Sequence, residues 1–202
     1  LKQIKPNALS EVIAIQLFRP SVAQRQKEML NTLLNKLEES TLNVNSSTQE
    51  ESELRTKDAA LVEKFVQKAR SVQPKGQVVL DPKHLDNVIL QQGDVLVIPE
   101  QTSVVMVNGQ VTFPNGVEYK PDMRVKDYIA QVGGFSQKSN KSKIIVFHQN
   151  GEALLVGERY KVQQGDEILV LPKVTAKPVE IARGITEVLY KIALATKYAI
   201  DL

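Results

Sequence analysis

The sequence predicts an α+β protein, on three observations. Short β-type runs separated by turn residues lie at residues 12–19 and 76–172, two helical-period stretches fill residues 20–73 between them, and a long amphipathic stretch closes the chain. A chain of 202 residues suffices for one large domain or two small ones with an ordinary core. Its composition, 42% hydrophobic and 24% charged with no run of 18 uncharged apolar residues, excludes a bundle of hydropathy-type membrane helices. The formal net charge is only +3 and the signs are interspersed, so the one-sided basic footprint of a nucleic-acid binder is missing and nucleic acid is not an expected partner. With no Cys, disulfide scaffolds, thiolate metal sites and cysteine nucleophiles drop out, and the periplasm is permitted. The chain opens on Leu1 without a charged-then-apolar leader, and the expectation is a piece of a longer protein.

Residues 12–19 are rich in β-formers and stop at Pro20, which reads as a strand. From Ser21 the period changes: Val22, Met29, Leu30, Leu33, Leu34 and Leu37 recur at helical spacing after a Ser21/Gln24 capping box. Residues 43–47 form a polar turn with N-caps at Ser47 and Thr48, and Leu54, Leu61, Phe65 and Val72 mark a second helix that ends before Pro74-Lys75-Gly76. The pair reads as an antiparallel hairpin projecting from the body and burying one stripe. Strands are expected at 77–80, 94–98, 104–107, 110–113, 143–148, 152–156 and 167–171, with tight turns at Asn108-Gly109 and Asn150-Gly151. A short helix over 121–132 closes at Gly133-Gly134, where a left-handed C-cap is expected.

An internal repeat orders these pieces. Leu90-Gln91-Gln92-Gly93-Asp94 and the apolar run after it return 72 positions later from Val162-Gln163-Gln164-Gly165-Asp166. Residues 76–80 parallel 151–155, and residues 12–19 parallel 143–148, so the chain holds two copies of one small β unit. In the second copy Asn150-Gly151 joins the two strands, and in the first the whole hairpin occupies that junction, an insertion at a loop tip. Gly93 and Gly165 permit the turn into the last strand, and Asp94 and Asp166 are expected to accept backbone hydrogen bonds there rather than to contact a ligand. The second copy has an opening half, residues 104–134, for which the first offers only about ten residues, so that half is expected to be missing.

Val105–Val111 with Phe113-Pro114-Asn115-Gly116, then Val125–Phe135, then Val162–Asp166, resembles the soluble-ligand-binding β-grasp (SLBB) domain. Tandem copies followed by a terminal helix resemble the bacterial outer-membrane polysaccharide export proteins of the group 2 capsule (polysialic acid) type, whose first β-grasp unit carries a helical insertion. The family's N-terminal export signature and lipidated Cys do not occur here. The resemblance implies the C-terminal part of a first SLBB domain over 1–101 with the insertion at about 20–73, a second SLBB domain over 102–174, and a C-terminal helix over 178–202. It further implies a non-enzymatic subunit without cofactor, one of a ring of identical subunits in the outer membrane and periplasm. Such a ring passes capsular polysaccharide and works with an inner-membrane co-polymerase and an ABC exporter. Leu30, Leu33, Leu37, Leu61 and Phe65 on the hairpin are then candidate contacts to a neighbouring subunit or partner.

At about 100° per residue the tail segregates into two faces. Ile181, Ile185, Val188, Leu189, Ile192, Ala199 and Ile200 share the apolar face, expected to meet outer-membrane lipid. Arg183, Glu187, Lys191 and Tyr198 share the polar face, expected to line a lumen. Its 25 residues would extend roughly 37 Å, enough for a hydrocarbon core of about 30 Å, but one such helix alone would carry charges into lipid at about 3 kcal/mol each. A ring of them, with polar faces on a shared water-filled lumen, escapes that cost. The alternative is a periplasmic glycan-binding adaptor whose tail packs on protein.

No chemistry competes with this reading. His84 and His148 lie 64 positions apart with no metal-ligand spacing, and His148 is expected at the rim of a strand. No phosphate-binding glycine loop or nucleophile with a paired base occurs.

Overall fold

The structure is a computed structural model, and it describes residues 10–42, 49–176 and 179–197. The expected turn at 43–47, the caps at Ser47 and Thr48, and Tyr198, Ala199 and Ile200 lie outside the described residues.

Two sheets are formed by the described residues. Strands β1 (Gln16–Phe18), β2 (Gln77–Val78) and β3 (Val95–Val97) form an antiparallel sheet in the order β2-β1-β3. The strand expected over 12–19 is shorter than its sequence suggests. Val12–Ala14 is a 3₁₀ turn, and only residues 16–18 find partners, because β2 and β3 offer two and three residues. Ile15, Leu17 and Leu80 form the small core of this sheet, with Leu85, Val88, Leu96 and Ile98 against it.

The second sheet comprises β4 (Val104–Gly109), β5 (Asn115–Glu118), β6 (Ser139–Phe147), β7 (Ala153–Val156) and β8 (Glu167–Pro172), in the order β5-β4-β8-β6-β7. Only β4 and β8 run parallel. The central strands β6 and β8 are covered on both faces, which is why they read as continuous apolar runs. Ile144, Val146, Ile168 and Val170 face helix α3 (Val125–Gln131), where Val125, Tyr128 and Ile129 are fully buried. Ile145, Phe147, Leu169 and Leu171 face the other way, against Tyr190, Ala193 and Leu194 of the tail.

The tight hairpin turn expected at Asn108-Gly109 is absent. Strand β4 runs through both residues because β8 pairs with them, Asn108 opposite Leu169 and Gly109 opposite Val170. At Gly109 φ is +80° and a Cβ would meet the Val170 carbonyl oxygen at 2.2 Å, so the glycine serves close strand approach. Residues 110–113, expected as a strand, instead hold the end of α3 through Thr112 N–H to Gly134 O and Phe113 N–H to Val132 O. Asn150-Gly151 does turn, with His148 and Glu152 closing it.

Three long helices follow the expected periods: α1 (Pro20–Leu42), α2 (Gln49–Ser71) and α4 (Val179–Thr196; the short α3 precedes it). The first two run antiparallel, since Lys27 near the start of α1 donates to the carbonyls of Arg70 and Val72 at the end of α2. They do not simply project from the body. Helix α4 lies along them, and Leu34, Val62, Phe65, Val66, Ala69, Ile185 and Leu189 are among the buried members of one shared core.

The three-stranded sheet repeats the β7-β6-β8 part of the larger one. Leu17 sits between Val78 and Leu96 as Val146 sits between Leu154 and Ile168.

Candidate functional site

The two copies of Gln-Gln-Gly-Asp form the same turn. Gly93 at φ +86° and Gly165 at φ +78° occupy the left-handed region, which the preceding polar residues would adopt only with strain. Asp94 accepts from the backbone N–H of Gln91 at 2.8 Å, and Asp166 from that of Gln163 at 2.7 Å. Each carboxylate also takes a base from the residue just after the neighbouring strand. Arg19, following β1, grips Asp94 through Nε at 2.9 Å and Nη2 at 2.7 Å, and donates to the Ile89 carbonyl as well. His148, following β6, places Nδ1 2.6 Å from Asp166 Oδ1, and Nε2 is 3.2 Å from the Tyr160 hydroxyl.

The partners fix the electrostatics. The Arg19 hydrogen bond holds the Asp94 carboxyl below its usual range. The hydrogen bond to Asp166 raises His148 above its ordinary value, outweighing the burial that favours the neutral ring. His148 is thus no rim residue; its side chain is only 11% exposed and Asp166 is 1% exposed. The sequence signal for this pair was the repeat itself, which sets His148 where the first copy has Arg19.

Beside this pair a cleft of about 480 Å³ opens between the two sheets. Its walls are Glu11, Ile13 and Ala14 ahead of β1, Gln101 and Thr102 between the sheets, His148–Asn150 and Glu152 at the β6–β7 turn, and Gln163, Gln164 and Asp166 ahead of β8. Gln16 donates from its carboxamide to the Gln149 carbonyl, tying the small sheet to that turn. Sequence reasoning missed this site because its walls come from four separate segments.

The tail departs from expectation. Ile181, Ile185, Val188, Leu189 and Ile192, expected to meet lipid, are each at most 3% exposed, covered by α1 and α2. The physical reason is complementarity: the hairpin offers an apolar seam of matching length, and docking removes both from water. Leu30, Leu37 and Phe65 are buried in that core with Leu33 and Leu61 packed at its edge, so these expected partner contacts are made within the chain. Gly184 lets the helices approach, since a Cβ there would come within 2.9 Å of Leu37 Cδ1. On the opposite face Arg183 and Glu187 are exposed and Lys191 half-buried. The described helix has 18 residues, about 27 Å, and Lys197 adopts φ +63° directly after it. No helix among the described residues is long and apolar enough to cross a membrane.

The remaining expected residues sit in local structure. Gly133 and Gly134, both at φ +84°, close α3. His84 bonds exposed Asp81, and no metal-holding cluster occurs among the described residues.

A five-stranded sheet with parallel β4 and β8, crossed by one helix and closed by a Gly-Asp turn, defines the class, and residues 104–157 match the SLBB domain family. Two proteins of Escherichia coli, both named polysialic acid transport protein KpsD, are 50% and 49% identical over all 202 residues. Along its whole length the chain is similar to these two polysialic acid transport proteins, and residues 104–157 within it are an SLBB domain. It spans 36% of the length of each of these relatives.

Proposed function

We propose that this chain is part of a subunit of a ring-shaped, non-enzymatic conduit that exports capsular polysaccharide across the Gram-negative outer membrane. The observation that carries the reading is identity at half of all positions, along the whole chain, with proteins named for polysialic acid transport. In this reading residues 1–101 are the C-terminal part of a first SLBB domain, 102–174 a second, and the subunit sits in the periplasm and outer membrane with the co-polymerase and ABC exporter as partners. The shared strand order and the paired Asp94 and Asp166 turns support two related units. Strand β3 has only β1 as a strand partner among the described residues, which supports a counterpart of β4 supplied by polypeptide outside these 202 residues.

Burial of the apolar face of α4 favours a tail docked on the hairpin in the isolated subunit. A transmembrane α-helical barrel then belongs to the assembled ring, where α4 leaves the hairpin and turns Ile181, Ile185, Val188, Leu189 and Ile192 toward lipid. Deleting the full-length gene in its encapsulated host tests the function. The reading predicts polymer retained behind the outer membrane and absent from the cell surface; undiminished surface capsule contradicts it.

A further inference from the structure

We propose that the groove between helix α4 and strands β6 and β7 binds an anionic phospholipid, with one acyl chain on its apolar floor and the phosphate at its basic rim. The inference stands independently of the export reading. Two elements make the floor: Leu155 of the edge strand β7, and Val179, Ala182 and Tyr190 of α4. The groove has a volume of about 480 Å³, within the range of small-ligand sites, about 300–1,000 Å³. Leu155 is 46% exposed and Val179 62%, so apolar surface stands open to water at its mouth. The Thr186 hydroxyl in its wall donates to the Ala182 carbonyl at 2.7 Å and is satisfied within the helix. Such a floor accommodates hydrocarbon and offers a peptide backbone little to bond.

Charge selects the headgroup. Lys143 and Arg183 border the groove, and neither forms an ion pair among the described residues. Three further lysines, all exposed, extend the basic surface beyond them. Lys173 donates its backbone N–H to the Lys138 carbonyl at 2.7 Å where β8 ends beside β6, and Lys141 lies within β6 with Nζ 5.4 Å from the centre of the Phe135 ring. Residues 136–146 contain no Asp or Glu. The carboxylates of this region are Glu187 in the groove wall and Glu180 beside Val179, so five cations stand against two acids. An arginine fork and a lysine ammonium are both phosphate ligands, and the surplus of positive charge attracts an anionic headgroup. The apolar floor requires a chain attached to it, which sets a phospholipid apart from free phosphate or an acidic polymer. The groove exists only while α4 lies on the sheet, so a lipid bound there favours the docked tail.

The test is a methyl NMR titration of the full 202-residue chain with dihexanoylphosphatidylglycerol, kept below its micelle concentration. Dihexanoylphosphatidylcholine is the match without net charge, and glycerol 3-phosphate and hexaglutamate carry negative charge without a chain. The proposal predicts saturable shifts of the Leu155, Val179 and Ala182 methyls with the anionic lipid, binding at least about tenfold weaker for the zwitterionic one, and no saturation with either chainless anion. Arg183→Gln and Lys143→Gln should each weaken the anionic lipid about fivefold and leave the zwitterionic lipid unchanged, a split that loss of folding does not produce. Leu155→Asn should weaken both lipids about fivefold at unchanged melting temperature, since its side chain is already half open to water. Equal binding of the two lipids, saturation of the same methyls by glycerol 3-phosphate or hexaglutamate, or shifts as large at the remote exposed residues Ile13, Ile89 and Phe113 overturns the proposal. So does binding that all three variants leave intact.

Discussion

The Asp166 carboxylate, 2.6 Å away, raises the pKa of His148 against the ring's own burial. Its pKa is raised on folding, so the pair contributes stability that is fully present below the unfolded value of about 6.5 and is lost as pH rises through the higher folded value. Thermal melts should therefore show Tm falling as pH climbs from about 6.5, and His148→Gln should flatten that slope. Asp166 carries more than the imidazole. It also caps the turn through the Gln163 N–H, so Asp166→Ala is expected to cost about 3 kcal/mol in denaturant unfolding, with a loss below 1 kcal/mol contradicting the assignment. The equivalent Arg19–Asp94 pair has a base that stays charged throughout this range and adds no slope there. At this scale the turn was legible in Gly-Asp, whereas the His148–Asp166 pair was not, since strand pairing brings together groups 18 positions apart.

Among the elements, helix α4 shows what an amphipathic pattern does and does not specify. The apolar stripe at Ile181, Ile185, Val188, Leu189 and Ile192 was plain in the sequence, and periodicity demands an apolar partner without naming it. Lipid and a leucine-rich hairpin satisfy it equally; within the single chain the stripe packs against Leu34, Leu37 and Phe65. Leu189→Ala should cost about 3 kcal/mol through transfer and cavity terms, read from denaturant unfolding. Gly184→Leu should cost about 2 kcal/mol by overpacking against Leu37, although leucine is the better helix former. The chain has no Cys, so Met29→Cys and Lys191→Cys, on facing walls of the α1–α4 groove, accept spin labels cleanly. Their separation should stay unchanged when the isolated chain meets phospholipid vesicles; a large increase would show that lipid alone undocks α4. The Asn108-Gly109 signal failed for a related reason, as the parallel ladder to β8 outweighed a local turn preference.

Across the whole molecule, the repeat was the most informative feature of the sequence. It aligned two sets of three strands that the structure pairs in the same order, and it located the helical hairpin between the first two, β1 and β2. Lost from view was how the insertion and the tail, separated by about a hundred residues, meet in one core, because long-range packing leaves no local period. On the proposed function, this segment performs the work of the corresponding part of a capsule exporter. Replacing that part of an Escherichia coli relative with these 202 residues, in a strain lacking its own copy, tests it most directly, with polysialic acid at the cell surface as the readout. Surface polymer should return to the level of the unaltered relative. Polymer trapped within the envelope, with the chimaera present at normal abundance, would contradict it.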